Sequence, residues 1–165
     1  MGYNFKYLLI AFLFFSFISC ENSKNEYHKK IAVVSAKIEA SKAGYEILKM
    51  GGNAFDAMIA TDLALAVVYP NAGNLGGGGF MVYRLSDGDY GSLDFREKAP
   101  LAATKDMYLD ESGNVIKGLS REGALSVGVP GTVAGLFEVY DRFGSLPLDS
   151  LFKPALNLAM NGFPL

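Results

Sequence analysis

One cysteine and one histidine, Cys20 and His28, occur in 165 residues. An internal disulfide needs two thiols, so none can form, and a Cys/His zinc site has too few ligands. Positive charge is also scarce. Fifteen Lys and Arg against seventeen Asp and Glu leave a formal net charge of -2. With no Lys/Arg cluster in the chain, the electrostatic footprint of a nucleic-acid binder is missing. No apolar run reaches the roughly 20 residues that span a bilayer. There is no internal repeat and no low-complexity segment. What remains is half hydrophobic and one-fifth charged, the balance of a globular chain. Its length fits one domain or a piece of a larger one.

The first thirty residues stand apart. Lys6 supplies a positive start, and residues 7–18 form an apolar run of twelve with Ser16 inside it. That is short for a membrane span and right for a signal-peptide core. The run ends in Ser19-Cys20, which resembles a bacterial lipobox, with Phe17 where Leu is usual. The expectation is a signal peptide over residues 1–19, a lipidated Cys20, and a polar tether over residues 20–30. A simple secretory signal with an incidental Cys is the alternative. Either way the chain is exported. With the lipid it is held to a membrane, in the periplasm or at the cell surface. His28, in the tether, reads as a solvated residue and not as a ligand.

The body alternates helix and strand signals. IAVVSA, residues 31–36, reads as a buried strand. The next segment has helical spacing and ends at Gly51-Gly52 in the left-handed manner. Asn53 with Asp56 three positions on forms a capping box for a helix over residues 53–69. That helix is apolar nearly all round and therefore buried, and Pro70 stops it. FMVYRL and GSLDF around Asp87-Gly88 form a hairpin, the first strand buried. Residues 101–123 are turn-rich. ALSVGVPG, residues 124–131, reads as a strand, followed by a helix with Val133, Leu136, Phe137 and Tyr140 on one face. A last helix begins at Pro154 and ends at Gly162. The whole is an α/β (α+β) chain with few strands.

Gly76, Gly77, Gly78 and Gly79 are consecutive, directly before an apolar strand. A phosphate loop would need Lys and Ser/Thr after the glycines, and Phe80 and Met81 stand there. A dinucleotide fingerprint would need strand, glycines, helix, and here the order is reversed. A slack connector is out of place between two buried elements. The remaining reading is close approach of backbone or substrate to the loop.

Four motifs carry a resemblance: GGNAFDA at 51–57, PNAGNLGGGGFM at 70–81, DFREKAP at 94–100 and VPGTVAGL at 129–136. With ASKAGYEILK before them and PALNLAMNGFPL after, they resemble the N-terminal part of a γ-glutamyltranspeptidase (glutathione hydrolase), nearly continuously from about Ile31 to Leu165. The resemblance implies the N-terminal nucleophile hydrolase fold, a four-layer αββα sandwich that is incomplete in this chain. It implies a precursor that cuts itself, and a Thr at the new N-terminus that attacks the γ-glutamyl amide. Water or an amino acid or peptide then takes the γ-glutamyl group.

The same resemblance implies that Arg96 binds the α-carboxylate of the γ-glutamyl group. A planar guanidinium suits that task. A surface Arg96 paired with Asp94 or Glu97 is the alternative. The chain's three threonines, Thr61, Thr104 and Thr132, stand outside the Thr-rich context of the family's nucleophile, so no catalytic residue is assigned. The expectation is a piece of the large subunit: one wall of the substrate pocket, inactive and insoluble or molten by itself. Its partners would be glutathione or another γ-glutamyl compound, the small subunit, and a membrane through the lipid. No cofactor, metal or nucleic acid is implied. The weighed alternatives are a non-catalytic lipoprotein module that binds or supports, and an acylase of another amide.

Overall fold

The computed structural model describes residues 31–73 and 75–164. The signal peptide, Cys20, the tether and His28 all lie outside the described residues. The described part runs α1 (Ile38–Lys49), α2 (Ala54–Val68), β1 (Phe80–Arg84), β2 (Tyr90–Asp94), α3 (Thr132–Phe143) and α4 (Leu148–Asn161), with a 3-10 turn at Ala124–Ser126 before α3.

Helices α1 and α2 are joined by the Gly51-Gly52-Asn53 turn. Gly51 has φ of 94°, the left-handed conformation that lets the chain leave α1. Asn53 Oδ1 accepts from the N–H groups of Phe55 and Asp56, and Asp56 Oδ2 accepts from the Asn53 N–H, so the capping box closes in both directions. Asp56 is fully buried and also receives the Ser145 N–H and hydroxyl from the α3–α4 turn. The Asn53 amide donates to Phe143 O at 2.7 Å, across the same junction. Burial pushes the Asp56 carboxyl up. The Ser145, Asn53 and Leu146 donors outweigh it and hold the carboxyl below its ordinary range.

The core lies among the helices. Ile47, Ile59, Leu63, Leu136, Val139 and Leu151 are its large members, and Ala40, Ala43, Ala64 and Val68 form a smaller cluster where α1 meets α2. On α3 the buried face is Thr132, Gly135, Leu136 and Val139. Val133 and Phe137, expected on that face, are about half exposed instead and border an apolar notch with Leu75 and Phe152.

The hairpin is antiparallel, with Phe80 opposite Asp94 and Arg84 opposite Tyr90. Met81 and Leu93 pack toward the helical core. Tyr83 joins Phe55 and Phe143 in an aromatic cluster, and its hydroxyl accepts from Arg142. The strand is thus half-buried on one face and exposed on the other, not buried on both. Val82 and Tyr90 on the other face are each 84% exposed.

Three expected elements differ. Residues 31–36 form no strand, because neither hairpin strand pairs with them. Residues 124–131 give one 3-10 turn and one bridge, Val129 with Lys98, since Gly128 and Pro130 leave little ladder to extend. Helix α4 starts at Leu148, with Pro147 at its cap, and carries Pro154 inside; its burial of Leu151 and Ala155 outweighs the hydrogen bond lost at Pro154. Residues 101–123 are turns, as the sequence indicates, with Asp110 closing a loop onto Ser112 and Asn114.

Candidate functional site

Three of the four motifs meet in space. The chain leaving β2 runs Phe95-Arg96-Glu97-Lys98, and two neighbours clamp it. On one side, Phe95 N–H donates to Gly79 O at 3.0 Å, and Gly79 N–H donates to Phe95 O at 3.4 Å. On the other, Lys98 and Val129 exchange both backbone hydrogen bonds at 2.8 and 3.1 Å. The glycine loop also holds the start of α3: Gly77 O accepts from the N–H groups of Gly131 and Thr132. One loop therefore fixes both the segment bearing Arg96 and the N-terminus of the VPG helix.

This arrangement accounts for the missing side chains. A Cβ on Gly78 would lie 2.7 Å from both Glu97 N and Phe95 O and 2.8 Å from Arg96 Cα. These are backbone atoms that cannot swing away. A Cβ on Gly131 would strike Phe95 O, and one on Gly135 would strike the Phe95 ring. The loop is glycine because the Arg96 segment lies directly on it.

Arg96 is exposed. Its backbone N–H donates to Asp94 Oδ1 at 3.0 Å, so that carboxylate turns toward the main chain. Among the described residues the Arg96 guanidinium makes no ion pair with Asp94, Glu97 or any other carboxylate. The pairing weighed as the alternative is therefore not formed. Arg96 borders two shallow depressions of about 480 and 350 Å3, one floored by Met107, Tyr108 and Leu125, the other by Val129, Gly131 and Glu138. Tyr108 is held by its hydroxyl, which donates to Leu125 O at 2.8 Å.

The opposite side of the glycine loop faces a wider cleft of about 660 Å3, bordered by residues 32–35, α2, Phe95, Glu97 and Thr132. Asp62 of α2 lines it. Burial pushes its carboxyl up, and no hydrogen bond offsets this. Asp62 is one of two acids in a mostly apolar helix, a signal visible in the sequence.

Thr61 and Thr132 border the wide cleft, and Thr104 does not. Thr61 is buried in α2 and donates to Ala57 O at 2.7 Å. Thr104 is exposed in the turn-rich segment, and Thr132 is buried at the start of α3. Among the described residues no group of three or more His, Cys, Asp or Glu could hold a metal ion, and no helix is long and apolar enough to cross a membrane.

The same fold is found again in solved structures. The γ-glutamyltranspeptidase of Helicobacter pylori matches with a TM-score of 0.76 at 51% identity, over 81% of this chain and 38% of that one. The γ-glutamyltranspeptidase of Pseudomonas nitroreducens complexed with L-DON matches with a TM-score of 0.75 at 53% identity, over 81% of this chain and 39% of that one. The architecture is part of an N-terminal nucleophile hydrolase fold. In sequence, the glutathione hydrolase proenzyme of Pseudomonas sp. (strain A14) is 59% identical over 133 residues, 81% of this chain and 23% of that protein. The family model described as Gamma-glutamyltranspeptidase matches residues 40–165. The chain belongs to the γ-glutamyltranspeptidase family. It spans about a quarter of the length of the curated relative.

Proposed function

We propose that the enzyme these residues help to build cleaves the γ-glutamyl amide of glutathione or a related γ-glutamyl compound, and passes the γ-glutamyl group to water or to an amino acid or peptide. In this reading the described residues are a wall of the donor pocket, and the nucleophilic Thr belongs to a part of the protein outside this sequence. Arg96 receives the α-carboxylate of the donor through a bidentate pair. The observation that carries the reading is the unpaired Arg96 guanidinium on a segment clamped from both sides. An exposed guanidinium without an ion partner, on a backbone held by hydrogen bonds, suits an anionic ligand. It also suits an α-amino acid donor better than an amide that lacks a carboxylate. By the leader sequence, Cys20 carries a lipid and the enzyme works outside the cytoplasm on a membrane.

The test is to express the full reading frame and supply glutathione. Release of glutamate, together with conversion of the precursor into two chains, is the expected result. An intact, folded precursor that never cleaves and releases no glutamate contradicts it.

A further inference from the structure

Helix α2 presents one face to the wide cleft. Ala54, Ala57, Met58, Thr61, Asp62 and Leu65 line it, at the spacing that keeps them in one stripe. Met58 and Leu65 are only half-buried. The start of β1 and the glycine loop border the cleft on one side, and residues 32–35 border it on another.

The β1 border has an open edge. Gly79 and Phe95 exchange both backbone hydrogen bonds, and the register continues with Met81 opposite Leu93 and Tyr83 opposite Gly91. In an antiparallel pair these alternate residues turn their main-chain groups to the partner, so Phe80, Val82 and Arg84 turn theirs away. Among the described residues the sheet has two strands, and no strand pairs with that outer edge. The 32–35 border carries the pattern of a strand without a partner. From Ala32 to Ala36 exposed and half-buried residues alternate, Val33 packs toward the core, and Val34 is 92% exposed.

Asp62 lies within the α2 stripe. Among the described residues it has no hydrogen bond, and burial raises its carboxyl. An acid withdrawn from water without a donor is costly. An open strand edge, an apolar helix face and a lone acid together complement an extended segment with apolar side chains and one donor.

We propose that the wide cleft takes a β-strand from elsewhere in the same enzyme. It pairs with the outer edge of β1, its apolar side chains cover the α2 stripe, and one of its side chains donates a hydrogen bond to Asp62. The curated relative from Pseudomonas sp. has about three quarters of its length beyond the part this chain matches, so such a strand has a source. This assembly does not depend on the role of Arg96.

Hydrogen–deuterium exchange, read residue by residue in the full-length enzyme, tests the pairing. The Phe80, Val82 and Arg84 amides should exchange within about tenfold of those of Met81 and Tyr83, which β2 already protects. Exchange of all three as fast as in the turns of residues 101–123 overturns the pairing. So does protection that appears only as the protein concentration rises, because a second copy then fills the cleft. Asp62→Ala tests the polar contact through the sign of its effect. Removing a paired Asp62 leaves its donor unsatisfied, so the Tm of the full-length enzyme should fall. Removing an unpaired one relieves a desolvation cost, so a Tm that is unchanged or higher overturns the contact.

Discussion

Gly78 shows how one absent side chain sets the course of the backbone that bears Arg96. Its Cα lies so close to the backbone of Phe95, Arg96 and Glu97 that a methyl group would meet three main-chain atoms within 2.8 Å. Gly78→Ala must therefore push the Arg96 segment off the loop. A cost of about 1–3 kcal/mol is expected, as for other overpacked sites, with a raised KM for the γ-glutamyl donor. Denaturant unfolding and steady-state kinetics of the full-length variant check both; an unchanged KM would mean that the loop does not set the arginine. In the sequence, ruling out the nucleotide loops leaves close approach as the reason for the glycines, but nothing local says what approaches. The partner is fifteen or more residues away along the chain, and only the hairpin register brings Phe95 back to Gly79. Arg96 was legible as a candidate through its motif alone. Its lack of an ion partner was not, because that depends on Asp94 turning to the backbone.

Between elements, Asp56 ties the start of α2 to the turn that joins α3 and α4. It accepts from Asn53 on one side and Ser145 on the other. Its folded-state pKa is held below the unfolded value near 3.8. A depressed carboxyl contributes stability that is fully present above the unfolded pKa and is lost as pH falls through the folded one. Asp56→Asn should then cost about 1–3 kcal/mol at pH 7, and the difference from wild type should shrink below about pH 4. Denaturant midpoints across that range measure it, and a pH-independent difference would show that the charge is not what matters. The capping box half of this device was readable from Asn53 and Asp56, whose spacing is local. The Ser145 half was not. Helices α1 to α3 were legible for the same local reason, through apolar spacing and terminal signals. The strands at 31–36 and 124–131 were misread because apolar, β-branched runs report burial, while a strand also needs a partner at its edge. Helix α4 was misplaced at its start because Pro154 reads as an opening residue, and the packing of Leu151 and Ala155 decided otherwise.

At the scale of the molecule, the described residues bury one face of the hairpin and leave the other open, with Phe80, Val82 and Tyr90 outward. In a four-layer sandwich such a face meets a second sheet, which is consistent with a chain that matches only part of each solved relative. Fold class and family were legible from the order of the motifs, since helix pair, glycine loop, hairpin and VPG helix follow one another without large gaps. The central claim is that Arg96 binds the donor's α-carboxylate, and it rests on one side chain. The most direct measurement is the kinetics of Arg96→Ala in the full-length enzyme with a γ-glutamyl donor. Loss of a bidentate charged pair predicts a fall in kcat/KM of about a hundredfold or more, carried mainly by KM, with the fold intact. An Arg96→Ala enzyme that matures normally and keeps the wild-type KM would contradict the account.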